Sequence, residues 1–463
     1  MAPGISRRDF LKRASVASPL AATAMTMSSG RGDAAKRPNI VYILVDDLGY
    51  GDLSSYAATD MQTPHIDALM EAGLRIDQFY ANSPICSPAR AAMMTGCFAD
   101  LVGVPGVIRT HAHDSFGYLK PDAPLLPEVL KQAGYDTALV GKWHLGLEAP
   151  NLPNLRGFDY FKGFLGDMMD DYYTHLRHGI NYMRENDAVI EPEGHATDLF
   201  TDWSVDYIRE RNSADNPFFL YLAYNAPHTP IQPPEDWLAR VREREPDITE
   251  TRAGIVALIE HMDAGIGKVV DALKETGAWD NTLFVFASDG GGHKPAGACN
   301  GELRGTKTNL YEGGIRVPMC AVWPGHIVPG TRNRACVATL MDLFPTACHA
   351  AGLRLEHEID GVDLTPVLCG EADDVEDRTL IWVRRAGIPS YGLANYAARQ
   401  GDWKLCQGPG PAVPFELFNL AEDPREENPV SLEHPMHRTL KEALIAHNIR
   451  SGRVPWQPPS EPV

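Results

Sequence analysis

Short unbroken runs of apolar residues recur along the chain, and each gives way abruptly to polar or charged positions. Residues 39–45 read Asn-Ile-Val-Tyr-Ile-Leu-Val, and similar runs occupy 137–140, 218–224, 282–287 and 319–323. A strand covered on both faces needs no polar alternation, so these runs predict buried strands of a parallel-type sheet. A longer period appears over 252–276, where Ile255, Leu258, Ile259, Met262, Ile266, Val269, Val270 and Leu273 mark one helix face. Gly277 ends that helix. Thr63-Pro64-His65 opens another that stops at Gly73. Residues 125–132 form a third, closed by Gly134, and 196–211 a fourth. Strands alternating with helices predict an α/β fold: a large, mixed but mostly parallel sheet flanked by helices.

The polar positions after the runs carry the chemistry. Asp46 and Asp47 follow the first run, Lys142 and His144 the second, His228 the third and Asp289 the fourth. Ligands of open α/β sheets bind at the C-terminal strand edge, so these four placements predict one shared site. Adjacent carboxylates at a strand end are costly unless a cation or a basic partner neutralises them. Lys142 and His144, two apart in an extended turn, share a side, where they suit an anion and a proton transfer.

Residues 83–96 read Ser-Pro-Ile-Cys-Ser-Pro-Ala-Arg-Ala-Ala-Met-Met-Thr-Gly. The two prolines predict an extended entry. The composition after Arg90 predicts a helix ending at Gly96, with Cys86 in the turn that feeds it. Backbone N–H groups at such a turn attract an anion. Arg90 adds a guanidinium fork suited to a tetrahedral oxyanion. Residues 97–124, with His111 and His113, read as a long loop near the site entrance. Residues 150–195 are aromatic and irregular. Asp170, Asp171, Tyr172, Tyr173 and His175 suit either loop packing or a cleft that stacks sugar rings.

Composition narrows the partners. The 463 residues suffice for two domains, and 44% apolar with 22% charged content is that of a globular protein. A formal charge of −19 argues against nucleic acid or an anionic membrane as partner, so an anionic substrate needs local basic groups. The eight cysteines contain no Cys-x-x-Cys pair, which argues against zinc. Ser6-Arg7-Arg8-Asp9-Phe10-Leu11-Lys12 has the form of a twin-arginine export signal. The apolar stretch after it, 14–27, is too short to span a bilayer, and Ala22-Thr23-Ala24 suits cleavage. We therefore expect residues 1–35 to be signal and linker, 36–369 a catalytic domain, and 370–463 a small C-terminal α+β domain. That last domain would hold strands at 379–383, 403–406 and 415–419 and a helix at 435–448. The destination is periplasmic or secreted, through the twin-arginine translocase, with no membrane span.

Cys86-Ser87-Pro88-Ala89-Arg90 resembles the Cys-x-Pro-x-Arg signature of the formylglycine-dependent sulfatases. Leu417-Phe418-Asn419-Leu420-Ala421-Glu422-Asp423-Pro424 resembles their C-terminal signature. The likeness runs from about Pro38 to about Asn428, nearest to the arylsulfatase and galactosamine-sulfatase branch. It implies an alkaline-phosphatase-like domain plus a smaller C-terminal sheet. It implies that Cys86 is oxidised to formylglycine by a formylglycine-generating enzyme. It also implies that Asp46, Asp47 and Asp289, with residue 86, bind calcium or alternatively magnesium. Arg90, Lys142, His144, His228 and Lys307 would surround the nucleophile and the sulfate. Three aspartates make a hard oxygen site, which suits an oxygen nucleophile at position 86 and not a soft thiolate. In the implied mechanism the cation activates one hydroxyl of the aldehyde hydrate and Asp289 takes its proton. Arg90, Lys142 and Lys307 balance the sulfate charge. His228 or Lys307 protonates the leaving alcohol, and His144 deprotonates the second hydroxyl.

The chain departs from the family at Gly290, where an Asn or similar oxygen ligand usually follows the aspartate. A water, a backbone carbonyl or Asn300 would have to substitute. The expected reaction is sulfuric ester hydrolysis, most simply of a sulfated sugar of galactose or N-acetylgalactosamine type. The alternatives are a phosphate or phosphonate ester hydrolase of the same superfamily, and a sulfated-glycan binder with impaired catalysis.

Overall fold

In the computed structural model, which describes residues 37–111, 114–211, 214–386, 392–410 and 412–458, the apolar runs become strands of one ten-stranded sheet. The expected signal segment and His113 lie outside the described residues. In chain order the strands are β1 (Asn39–Val45), β2 (Leu74–Tyr80), β3 (Asp136–Lys142) and β4 (Tyr160–Phe164). A separate two-stranded ribbon, β5 (Leu176–Arg177) and β6 (Ile180–Asn181), comes next. Then follow β7 (Met183–Glu185), β8 (Ala188–Val189), β9 (Phe218–Ala223), β10 (Thr282–Ser288), β11 (Met319–Val322) and β12 (Thr331–Thr339).

The order across the large sheet is β12-β2-β11-β10-β1-β9-β3-β4-β7-β8. Strands β10, β1, β9, β3 and β4 are neighbours and all parallel. β11 runs antiparallel between β10 and β2. Both faces of the middle are apolar, as expected: Ile40, Tyr42 and Leu44 join one core, Val41, Ile43 and Val45 the other.

The helices are α1 (Pro64–Ala72), α2 (Cys86–Thr95), α3 (Leu126–Gln132), α4 (Ala196–Arg211), α5 (Glu235–Arg244) and α6 (Glu250–Glu275). The chain continues with α7 (Glu312–Ile315), α8 (Leu343–Ala350), α9 (Thr365–Leu368) and α10 (Pro435–Ser451). α4 and α6 contribute Phe200, Ile255 and Ile259 to one core, while α2, α3 and α8 contribute Met93, Leu126 and Phe344 to the other. α6 begins two residues before the expected start at 252 because Thr249 caps it, accepting the Arg252 N–H at 3.3 Å.

Helix α2 departs from expectation: it begins at Cys86, not after Arg90. Pro88 lies in the first turn, where a missing N–H breaks no helical bond. The thiol is therefore itself part of the helix N-terminus.

The C-terminal sheet is antiparallel, β13 (Thr379–Arg385), β14 (Ala394–Gln400), β15 (Trp403–Gln407) and β16 (Phe415–Asn419), with α10 beside it. All of these strands except β14 are expected from the sequence. The sheet docks through buried polar contacts. Trp382 Nε1 donates to the Ala81 carbonyl at 2.8 Å, and the Arg385 N–H to the Pro105 carbonyl at 2.8 Å.

Candidate active site

The parallel strands end level with one another. Val45 pairs with Ser288, Leu44 with Ala223, and Ala223 with Gly141. Asp46, Asp289, Lys142 and the 224–228 turn therefore emerge along one sheet edge, and α2 brings Cys86 and Arg90 to it. Two residues there have left-handed backbones, Asp47 at φ 67° and His144 at φ 59°. Residues other than glycine adopt that conformation at a cost that surrounding contacts must hold in place.

Carboxylates and cations interlock beneath Cys86. Arg90 Nε donates to Asp289 Oδ2 at 2.9 Å, and its Nη1 to the Lys142 carbonyl at 3.1 Å and the Tyr221 hydroxyl at 3.3 Å. The Lys142 ammonium contacts Asp46, and the Lys307 ammonium contacts Asp47. Lys307 also donates to His228 Nε2 at 2.6 Å. Arg90 and Lys142 are completely buried. Burial alone would raise the Asp46 carboxyl, but Lys142, His228, Arg90 and Lys307 outweigh it and hold it well below the carboxylate range. Burial and then the Asp46 charge push Asp289 up to about 7, against the pull of Arg90.

The structure brings Asp46, Asp47, Cys86 and Asp289 together as one buried set, with potential ligand atoms within 4.8 Å of one another. Asp46 Oδ1 and Asp47 Oδ1 are buried with no hydrogen-bond partner. Unpartnered carboxylate oxygens aimed into a buried acidic cluster fit a hard cation. Burial, and next the Asp46 charge, push the Cys86 thiol well above its ordinary value, so it stays protonated.

Both histidines have assigned tautomers. His144 Nε2 lies 2.9 Å from the Ile108 carbonyl, an acceptor only, so Nε2 carries the proton. Its Nδ1 is buried and unpartnered. Burial, then Lys142 and Arg90, keep this ring neutral. His228 Nδ1 donates to the Thr229 carbonyl at 2.6 Å, which leaves Nε2 to accept from Lys307. Burial and the Lys307 charge lower its pKa to about 4, so the 3.5 Å approach of Nε2 to Asp47 is not an ion pair at neutral pH.

A cavity of about 330 Å³ opens above Cys86, and His144, His228 and Lys307 line it. Arg90, Lys142 and the three aspartates lie outside its lining. The predicted entrance loop contributes Val107, Arg109 and Phe116. From the 150–195 stretch only Asp167 and Met168 reach the cavity. Tyr172 is a brace: its hydroxyl lies 2.8 Å from the Asn225 and His228 carbonyls and steadies the His228 turn. Asp170 pairs with Arg177, Asp171 caps the Tyr173–Thr174 turn, and His175 bonds the Gly194 carbonyl at 3.0 Å. Asn300 is engaged elsewhere, bonding the Gly292 N–H at 2.8 Å and the Gly292 carbonyl at 3.0 Å. Sequence reasoning missed His293, Arg384 and Arg385 on the cavity wall. The tandem arginines at the end of an expected strand were the available signal.

The Sulfatase family model matches residues 38–353, and a model described as N-sulphoglucosamine sulphohydrolase, C-terminal, matches residues 305–450. N-acetylgalactosamine-6-sulfatase of Rattus norvegicus is 32% identical over 80% of this chain and 72% of its own length. Arylsulfatase A of Bos taurus is 31% identical over 88% of this chain and 85% of its own. The crystal structure of Ps i-CgsB in complex with k-i-k-neocarrahexaose superposes with a TM-score of 0.83 at 30% identity, covering 92% of this chain and 96% of that one. A family match across most of the folded chain, relatives this similar over most of its length, and a parallel-strand edge furnished in this way place the protein in the sulfatase family, as a hydrolase of sulfuric esters.

Proposed function

We propose that this sulfatase releases inorganic sulfate from a sulfated carbohydrate, with formylglycine at position 86 and calcium held by Asp46, Asp47 and Asp289. The observation that carries the reading is the buried set of three carboxylates around Cys86, two of them with unpartnered oxygens. A protonated thiol among hard oxygen ligands is neither a good nucleophile nor a good calcium ligand. The aldehyde hydrate, once formed, supplies an oxygen nucleophile, and a bound calcium or magnesium ion lowers its pKa.

The geometry supports the other roles in this reading. Arg90 fixes Asp289, since its guanidinium is held by that carboxylate, a carbonyl and Tyr221. Lys142 neutralises Asp46 from below. Lys307 faces the cavity and balances charge on the sulfate oxygens. His144 Nδ1 is a bare, neutral acceptor beside the cavity and serves as a general base. His228 and Lys307 share a hydrogen bond, and the ammonium is the member that carries a proton at neutral pH, so Lys307 is the donor to the leaving alcohol. Carbohydrate is the favoured substrate class because the structurally similar Ps i-CgsB holds a neocarrahexaose. Maturation by a formylglycine-generating enzyme before twin-arginine export to the periplasm or medium completes the reading.

The test is peptide mass spectrometry across residue 86 in protein co-expressed with the maturation enzyme, paired with turnover of sulfated sugars. We expect aldehyde content and sulfate release to rise together. Full activity in protein that retains the thiol would overturn the proposal.

A further inference from the structure

Among the described residues, Arg384 lines the cavity above Cys86 without any partner. Its Nε is buried and unbonded, and no ion pair or hydrogen bond engages its guanidinium. The other cations of that wall are each engaged, although Arg385 also has a buried, unbonded Nε and no carboxylate partner. Arg109 pairs with Asp114 at 3.1 Å, and Asp167 is held by Arg177 at 2.9 Å. Arg385 Nη1 donates to the Gly392 carbonyl at 2.9 Å and its guanidinium lies 5.3 Å from the Trp456 ring. Burial lowers the pKa of Arg384 and no carboxylate offsets it. An uncompensated guanidinium in a half-buried wall is expensive, and such groups mark sites that await an anion.

The backbone explains the placement. Side chains two apart on a strand share a face, so Arg384 projects beside Trp382, whose indole is anchored on Ala81. The Arg385 bond to Pro105 then pins this end of β13 to the entrance loop. Arg384 is thus a cation on an anchored strand end, supplied by the C-terminal sheet to a cavity lined by Cys86 of α2 and by His144 and His228 from the loops after β3 and β9.

We propose that Arg384 reads a second anionic substituent, a sulfate or a carboxylate, on the carbohydrate whose scissile sulfate lies over residue 86. The inference rests on the proposed substrate class and narrows it to polyanionic glycans. A guanidinium forms paired hydrogen bonds to either anion, which a neutral sugar hydroxyl does not reproduce.

The test compares galactose disaccharides carrying one sulfate, two sulfates, or one sulfate and a uronic carboxylate. The wild-type protein should prefer a doubly anionic substrate in kcat/KM by roughly 10- to 100-fold, the scale of a charge-assisted hydrogen bond. Whichever second anion is favoured identifies the source. Arg384→Gln should lower that ratio towards one, and Arg384→Lys should restore part of it. The same compounds are titrated calorimetrically into protein that retains the Cys86 thiol, so the charge preference is read even if no sugar is cleaved. A preference equal in wild type and Arg384→Gln, in binding or in turnover, overturns the inference. Absence of cleavage with the charge preference intact overturns only the proposed reaction.

Discussion

Gly290 stands directly after Asp289, where the family resemblance leads one to expect a side-chain oxygen. The position has room for one. A Cβ built there meets Asp47 Oδ1 at 3.8 Å and the Pro84 backbone at 3.9 Å, and nothing closer. Its backbone is not left-handed, so a larger residue meets no strain. Gly290→Asn should add an oxygen beside the unpartnered Asp47 Oδ1 and, at the proposed calcium site, tighten binding by roughly tenfold or more, the sense in which ligand number tunes hard-cation sites. Calorimetric calcium titration decides it, and unchanged or weaker affinity would show that the shell is complete without position 290. Other residues of the site were readable in advance because strand ends advertise them: Asp46, Asp47, Lys142, His144, His228 and Asp289 each follow an apolar run. Arg384 was not, because its meaning depends on the absence of a carboxylate nearby, which only three dimensions reveal.

Between the strands and the chemistry lies the segment from Gly290 to Thr308, which has little regular structure of its own. Asn300 holds it by bonding both the N–H and the carbonyl of Gly292. The Lys307 N–H donates to that same carbonyl at 3.1 Å, and the Thr308 N–H to Pro84 at 3.0 Å. Asn300 is therefore a positioning residue for Lys307. Asn300→Ala leaves the buried Gly292 N–H without its acceptor, so it should destabilise the protein by about 1–3 kcal/mol. If Lys307 has the catalytic role proposed for it, the change should also lower kcat by ten- to a hundredfold, because small misplacements of such a group are costly. Thermal melts and aryl sulfate kinetics check both, and a stability loss with unchanged kcat would show that Lys307 is placed without it. Elements were legible in proportion to how apolar they are. Doubly covered strands stood out, with ends misjudged by a residue or two because Lys142 and Ser288 continue the ladder despite their polarity. β14 was invisible: Ala-Asn-Tyr-Ala-Ala-Arg-Gln has no clear alternation. Its Arg399 is buried only because it reaches Tyr80 and Gln78 on β2.

The two sheets are joined by a buried charge cluster that neither could keep alone. Lys404 Nζ lies 2.9 Å from Glu312 Oε1 and 2.8 Å from Glu426 Oε1, while Glu312 Oε2 accepts from Tyr80 at 2.7 Å. One ammonium thus serves two carboxylates, one from α7 and one from the segment after β16. Burial opposes ionisation of Glu312, but Lys404, Arg399 and Arg316 outweigh it and lower its pKa to about 2. Burial dominates at Glu426 and raises it to about 7. The signs differ. Glu312, depressed on folding, adds stability that is present above its unfolded pKa, about 4.5, and disappears as pH falls towards 2. Glu426, raised on folding, binds its proton more tightly when folded, so stability declines as pH rises from about 4.5 to about 7. In Glu426→Gln the amide has no charge to bury, and Lys404 keeps Glu312 as a one-to-one partner. The variant should match wild type near pH 4.5 and exceed it in melting temperature above pH 7. Lys404→Met should lose about 3–5 kcal/mol at neutral pH by removing the ammonium that Glu312 and Glu426 share. Melting temperatures of the three proteins from pH 4 to 8 settle the matter. Parallel curves for wild type and Glu426→Gln would mean that Glu426 titrates alike in the folded and unfolded chain, which would overturn the upward shift.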